Sequence, residues 1–400
     1  MNKINISDYL PKEIPSLEEL DYNLETFEGY AEAFNENVTA LESFSVTLER
    51  LETLHATLAQ QDPASVNHAL SLEACMGALT PLGRDPAVTL EAMGANATDP
   101  EVSLEGVSDL IKKVGNGFSN AFNKTKTAMA DMLASITGMG KKFTMRLEAA
   151  QKELQALTGE PKTDEITFKA MHRLQCGGKT DMASINEGLE NLVSVAGEVT
   201  RDLPEAYMKY ARDVTKSFIA LKSRFKRPNA INSALNDYKE EIHKLLEKSL
   251  SNIGEKPVEF SGGFILSTDE GSTKSFYPEI RKADRRVKSD AKATIKTPTV
   301  AELQTMMDHC AKAVEIVVAN RRPMNDLVDS VEAEADKVFK EMKSFDRNII
   351  AKWFAKKDAE VILSSFHIGL VAQPMSEMVS ITFRSGRAAL GLVEQTVKAY

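Results

Sequence analysis

Apolar residues recur in alternating three- and four-residue steps through Leu20, Leu24, Phe27, Ala31, Phe34, Val38, Leu41, Leu48 and Leu51, interrupted at Ser45. Glu and Asp fill the positions between. This heptad-like seam predicts one long amphipathic helix over residues 16–60, whose stripe needs another helix, in cis or in trans. The periodicity then fades. Over 61–105, Pro63, Pro81, Pro86, Pro100, Gly77, Gly83 and Gly94 punctuate an Ala/Thr/Ser-rich stretch with the composition of an exposed linker. A helical face returns with Val107, Leu110, Ile111, Val114, Phe118 and Phe122. Gly115, Gly117, Gly138 and Gly140 each weaken that helix by up to about 1 kcal/mol against alanine. Further helices are predicted over about 143–157, 165–175, 181–200, 203–226 and 229–252, with Pro228 dividing the last two.

Residues 257–298 break the helical run. The segments VEFSGGFILST, KSFYPEI and ATIKT predict two to four short strands, with turns around Gly262–Gly263 and Asp269–Gly271. Thr299 and Glu302 have the spacing of a capping box, so a helix begins there and carries Leu303, Met306, Met307, Cys310, Val314 and Val317 on one face. Two or three more helices close the chain, the last entering near Pro374 and running to Tyr400. The expected class is mainly α. An acidic amphipathic helix (1–60) and a flexible linker (61–105) precede a helical domain (106–256), a small β segment (257–298) and a C-terminal helical region (299–400).

Charge changes this picture more than composition does. The net charge of −9 averages two unlike parts. Residues 1–105 hold 19 acidic and 4 basic side chains, a net of −15, while the remaining 295 hold 39 and 45, a net of +6. Such asymmetry points to segments with different partners. No apolar run approaches the roughly 18 residues that span a bilayer, and the N-terminal MNKINISDYLPKEIP lacks a signal-peptide core. Three widely spaced cysteines, Cys75, Cys176 and Cys310, fit a reducing compartment without a disulfide framework.

Catalytic signatures are missing. No HExxH, GxSxG or GxGxxG occurs, and no cofactor is implied. His172 and Cys176 stand four apart without a second pair, and the adjacent His309 and Cys310 diverge on a helix, so neither makes a metal set. Cys176–Thr180, CGGKT, has the ending of a phosphate-binding loop but Arg173 where its first glycine belongs, and reads as a helix C-cap. Two basic clusters are candidates for nucleic-acid phosphates: Arg281, Lys282, Arg285, Arg286, Lys288 and Lys292, and Lys222, Arg224, Lys226 and Arg227 around Phe225. Either would act non-specifically, through counterion release.

Within the linker a short theme recurs: Ser71-Leu-Glu73-Ala74, Thr89-Leu-Glu91-Ala92 and Ser103-Leu-Glu105-Gly106, the last running into VSDLIKKVGNGFSNAF. These steps resemble the processing sites of internal head proteins of large tailed bacteriophages, and the layout of helices around a Gly-Gly β segment is similar to that family. The resemblance implies a prohead protease that cuts after Glu105, with Glu73 and Glu91 as further sites. It implies removal of an acidic propeptide and a product that lies with packaged DNA in the virion interior after synthesis in the host cytoplasm. Residues 16–60 would dock on the capsid scaffold or the inner shell surface. Ejection with the genome would follow, with the Gly-rich stretch 107–140 either buried or touching membrane. Two other readings stay open: an unprocessed helical protein whose acidic N-terminal helix binds a basic partner, and an enzyme whose site no motif reveals.

Overall fold

The seam beginning at Leu20 forms α1 (Leu17–Gln60) in the computed structural model, which describes residues 14–60, 104–221, 231–254, 257–268, 278–284, 293–342 and 369–400. The Ser16 hydroxyl accepts the Glu19 amide at 3.1 Å, and Glu18 and Glu19 place carboxylates beside the unpaired amides of the first turn. Leu20, Phe27 and Phe34 are fully buried, and Leu24 and Val38 nearly so. They dock in cis, against α2 (Leu104–Gln155) and α8 (Gly369–Val397).

α2 runs without a break through the glycines that the sequence marks as weak points. Gly140 is there for packing: a Cβ at this position would overlap Val318 Cγ2 of α6 (Val300–Ala319), so its absence lets two helices approach closely. The described apolar face of α2, from Ala121 through Met129, Met132 and Ile136 to Met139, is buried.

The helix expected over 165–175 does not form. Glu165–Phe168 is strand β1, followed by a tight 3₁₀ turn at Met171–Arg173. Ile166 and Phe168 face inward while Glu165 and Thr167 face out, the two-residue alternation of a strand. The partner is remote. β1 pairs antiparallel with β5 (Ala293–Lys296), setting Ile166 opposite Ile295 and the Thr167 and Thr294 hydroxyls 2.9 Å apart. Local helical spacing yields to a tertiary partner, as strand preference commonly allows.

α3 (Met182–Gly197) starts where the Asp181 carboxylate accepts the Ser184 amide at 3.0 Å. It continues through one wide π turn, Glu198–Asp202, into α4 (Leu203–Leu221), and α5 (Ile231–Leu250) packs on α4. Pro228 lies outside the described residues. β2 (Glu259–Phe260), β3 (Phe264–Thr268) and β4 (Pro278–Lys282) form an antiparallel sheet whose first turn uses Gly262 and Gly263 at φ +83° and +68°. The expected turn at Asp269–Gly271 lies outside the described residues. The capping box ahead of α6 is complete: the Thr299 amide donates to Glu302 at 2.8 Å and the Glu302 amide to the Thr299 hydroxyl at 3.3 Å. α7 (Arg321–Met342) follows.

The core centres on α8, which begins five residues ahead of Pro374. Met375, Met378, Val379, Phe383, Leu390, Leu392 and Val393 are fully buried on it, and Phe143 of α2 meets Phe383 edge-on at 4.8 Å. A helix apolar on most faces must be surrounded. α1, α2, α3 and α6, together with β1 and β4, supply the surround. The architecture is a mainly helical bundle with small strands, the class the sequence predicts.

Candidate functional site beneath the acidic helix

Two arginines interrupt the apolar surface of α8. Arg384 and Arg387 are three residues apart, which puts them on one helical face. That face meets α1. Arg387 donates to the Asp21 carboxylate at 2.8 Å and Arg384 Nε to the Glu28 carboxylate at 2.6 Å, while the Ser380 hydroxyl donates to the same Glu28 oxygen at 2.9 Å. Asp21 and Glu28 are seven apart, two turns of α1, which matches them to a single line of partners. On the other flank Lys142 of α2 pairs with Glu19 at 2.6 Å and reaches Asn23 at 3.4 Å. The apolar seam lies between these two rows of charge.

A third arginine stands behind them. Arg173, at the end of the 3₁₀ turn, is half-buried, and its carbonyl accepts the Ser261 and Ser385 hydroxyls. Burial lowers its affinity for its proton, and repulsion from Arg384 and then Arg387 lowers it further; Asp21 and Glu28 act against this. Burial pushes the Glu28 carboxyl up, but hydrogen bonds from Arg384 and Ser380 outweigh that and hold it below the ordinary carboxylate range. The buried Nε of Arg387 has no hydrogen-bond partner. Three arginines from two elements therefore lie together where Asp21 and Glu28 of α1 face them, while Lys142 meets Glu19 across the seam.

Beside this cluster, Glu28, Glu32, Glu36 and Glu377 line an open cleft of about 640 Å³ between α1 and α8. The Glu377 carboxyl is pushed up by burial and by Glu279 of β4, and pulled down by Lys282 and Arg384. Lys282, one of the sequence-predicted phosphate contacts, thus lies within electrostatic reach of the arginine group. Lys282 and Arg281 are exposed at the end of β4. Arg285, Arg286, Lys288, Lys292, Lys222, Arg224, Lys226 and Arg227 lie outside the described residues, as do Ser71, Glu73, Ala74, Thr89, Glu91, Ala92 and Ser103. Glu105 and Gly106 are in the first turn of α2.

CGGKT is neither a phosphate loop nor a helix cap. Gly177 and Gly178, at φ +60° and +70°, make a two-residue turn closed by Cys176 and Lys179, and the Gly177 amide is taken by the Glu259 carboxylate at 2.6 Å. Gly188 of α3 allows this turn to approach, since a Cβ there would meet Cys176 Cβ at 2.8 Å. The Cys176 thiol is pushed up to about 11 by burial and then by Glu259, and the Cys310 thiol to about 12 by burial, so neither is poised as a thiolate. Among the described residues no group of His, Cys, Asp and Glu is arranged to hold a metal ion, and no helix is long and apolar enough to cross a membrane.

Sequence reading missed the arginine cluster. Its one local signal is the R-S-G-R step at 384–387 inside an otherwise apolar helix.

These features define a helical protein in which ion pairs on both flanks of a buried seam bind its own acidic N-terminal helix to its body. The family model described as phiKZ-like phage internal head proteins matches residues 17–394, and the chain belongs to that family. Comparison with curated proteins and with solved structures gave no significant match. The match begins at the first residue of α1, so the acidic helix is part of the family's shared region. Membership is in a head-protein family rather than an enzyme family, and implies a place inside the phage head.

Proposed function

We propose that this chain is the precursor of a protein packed in the head with DNA, and that a prohead protease removes residues 1–105 by cutting after Glu105. The observation that carries the reading is the sign change at that residue: the product goes from −9 to +6. A strongly negative protein confined beside DNA is opposed by phosphate repulsion, whereas a basic one is drawn to it. Leu104, Glu105 and Gly106 of the Ser103-Leu-Glu105-Gly106 step are the first residues of α2, where the first amides have no partner within the helix and the first turn opens at little cost. Glu73 and Glu91 would break the released segment further.

Before the cut, the acidic segment serves assembly. Its seam from Leu20 to Val38 is occupied by the chain's own body, so its exposed face, carrying Tyr22 and Tyr30 among carboxylates, is what would meet a basic scaffold or inner-shell partner. After the cut, Arg281, Lys282 and the neighbouring basic residues would contact DNA non-specifically, and the product would leave with the genome.

A second reading has its own support. α1 is packed as an integral helix and lies within the family match, which favours an unprocessed protein using its acidic surface to bind a basic partner. Intact mass and N-terminal sequencing of the protein from its native particle separate the two. A chain beginning at Gly106 establishes processing; a chain beginning at Met1 alone refutes it.

A further inference from the structure

The surface that α1 covers is itself an anion site. We propose that Arg173, Arg384 and Arg387 form a phosphate-binding surface for duplex DNA, held shut in the full chain by Asp21 and Glu28, and opened when α1 leaves. The proposal rests on the removal of residues 1–105 argued above.

Three observations support it. First, the cluster is crowded with positive charge. Arg173 is destabilised as a cation first by burial and then by Arg384 and Arg387, and Asp21 and Glu28 of α1 act against this. Removing α1 leaves three arginines without those counterions, a surface that must recruit other anions or rearrange. Second, Asp21 and Glu28 lie on one helical line and each takes a single hydrogen bond from a guanidinium, a charge-assisted contact that a phosphate oxygen can replace. Arg387 keeps a buried, unpartnered Nε with capacity for a further acceptor. Third, β4 packs on α8, and its end carries the exposed Arg281 and Lys282.

The cut also explains how the site opens. While residues 61–103 tether α1, it competes for its own site at an effective concentration in the millimolar range. Severing the tether hands that equilibrium to the bulk concentration of the free peptide, and DNA phosphates then compete with Asp21 and Glu28 for the same cations. The full chain is therefore a poor DNA binder and the cut chain a good one, beyond what the change in net charge alone produces.

The test uses the full chain with a recognition site for a sequence-specific protease placed within residues 61–103. Binding of a labelled 30-base-pair duplex is measured by anisotropy between 50 and 200 mM salt, before and after cutting, and release of the α1 fragment is followed by size exclusion with excess duplex. Expected results are release of the fragment and a steepening of the salt slope by about 3 after cutting, from about 0.9 per phosphate contact. In the cut protein, Arg384→Gln with Arg387→Gln lowers that slope by about 2. Arg384→Lys with Arg387→Lys retains it and shows that charge, not folding, is being read. Retention of the fragment under saturating duplex overturns the proposal, as does an unchanged slope in the double glutamine variant. Because the cut is made in vitro, this outcome is independent of where the particle's own protein begins, so failure of the site and failure of natural processing are told apart.

Discussion

Phe27→Ala tests whether α1 is a folded part of the body or an arm resting on it. Phe27 is fully buried at the middle of the seam, between Leu24 and Phe34. Truncating a buried phenylalanine removes its transfer free energy and leaves a cavity, for a cost of about 3–5 kcal/mol. Three further seam side chains, Leu20, Leu24 and Phe34, each contribute about 1.5–3 kcal/mol of gross burial. The loss at Phe27 is thus a large share of what docks α1, and local detachment of α1 precedes global unfolding. The assay is amide hydrogen exchange of residues 20–38 under native conditions. At 1.36 kcal/mol per factor of ten, exchange in α1 accelerates by roughly 10²- to 10⁴-fold, while amides of α6 and α8 change little. Tyr22→Ala, at a position 69% exposed, is the control and shifts α1 by less than about 0.5 kcal/mol. Equal exchange in the Phe27 and Tyr22 variants would refute the docking described here.

Gly138→Ala and Gly140→Ala should differ in sign: Gly138 has open space and gains up to about 1 kcal/mol of helix propensity, whereas Gly140→Ala collides with Val318 and loses about 1–3 kcal/mol in urea titrations. Acid should undock α1. The Glu28 carboxyl is held below the ordinary range, so its contribution is complete above that range and is lost as pH falls through the folded value; exchange of α1 amides should rise below about pH 4. Glu198 and Glu377 have the opposite sign: burial first, then neighbouring carboxylates, raises both, so each opposes folding at neutral pH, and Glu198→Gln should raise the melting temperature at pH 7 more than at pH 4. Arg146, largely buried, clamps Glu153 of α2 at 3.0 Å and Glu394 of α8 at 2.6 Å; Arg146→Ala should cost about 1–3 kcal/mol in thermal or urea melts.

What the sequence made legible is what a single element states about itself. The α1 seam as far as Val38, the Thr299–Glu302 box and the Gly262–Gly263 turn each lie within one local stretch, and each appears as read, while the side chains of Leu41, Leu48 and Leu51 lie outside the described residues. β1 was hidden because its evidence is elsewhere. Glu165–Phe168 is a strand by virtue of Ala293–Lys296, and nothing within four residues outweighs the helical spacing around it. Gly140 misled for the same reason: its use is a contact with Val318, not a property of α2. The density of basic residues along the chain points to Arg281 and Lys282 on β4. It carries no sign of Arg173, Arg384 and Arg387, which come together only through the packing of α8 against the 3₁₀ turn.

The arginine cluster also changes how the charge asymmetry itself acts. Net charge works through the field of the whole molecule and is screened beyond about 10 Å at 0.1 M salt. The α1 carboxylates work at contact, where Arg384 and Arg387 are 46% and 20% exposed and screening is weaker. Removing residues 1–105 would therefore act twice, lifting a long-range repulsion and uncovering cations at short range. The two effects separate experimentally. Neutralising exposed acidic residues of α1 that make none of these contacts, such as Glu25 and Glu32→Gln, alters the far field and leaves the cluster covered. Asp21→Asn with Glu28→Gln removes the same two charges but uncovers Arg384 and Arg387. If DNA binding by the full chain responds equally to both pairs, net charge alone governs it; a larger gain from the Asp21 and Glu28 pair assigns the control to the arginine site.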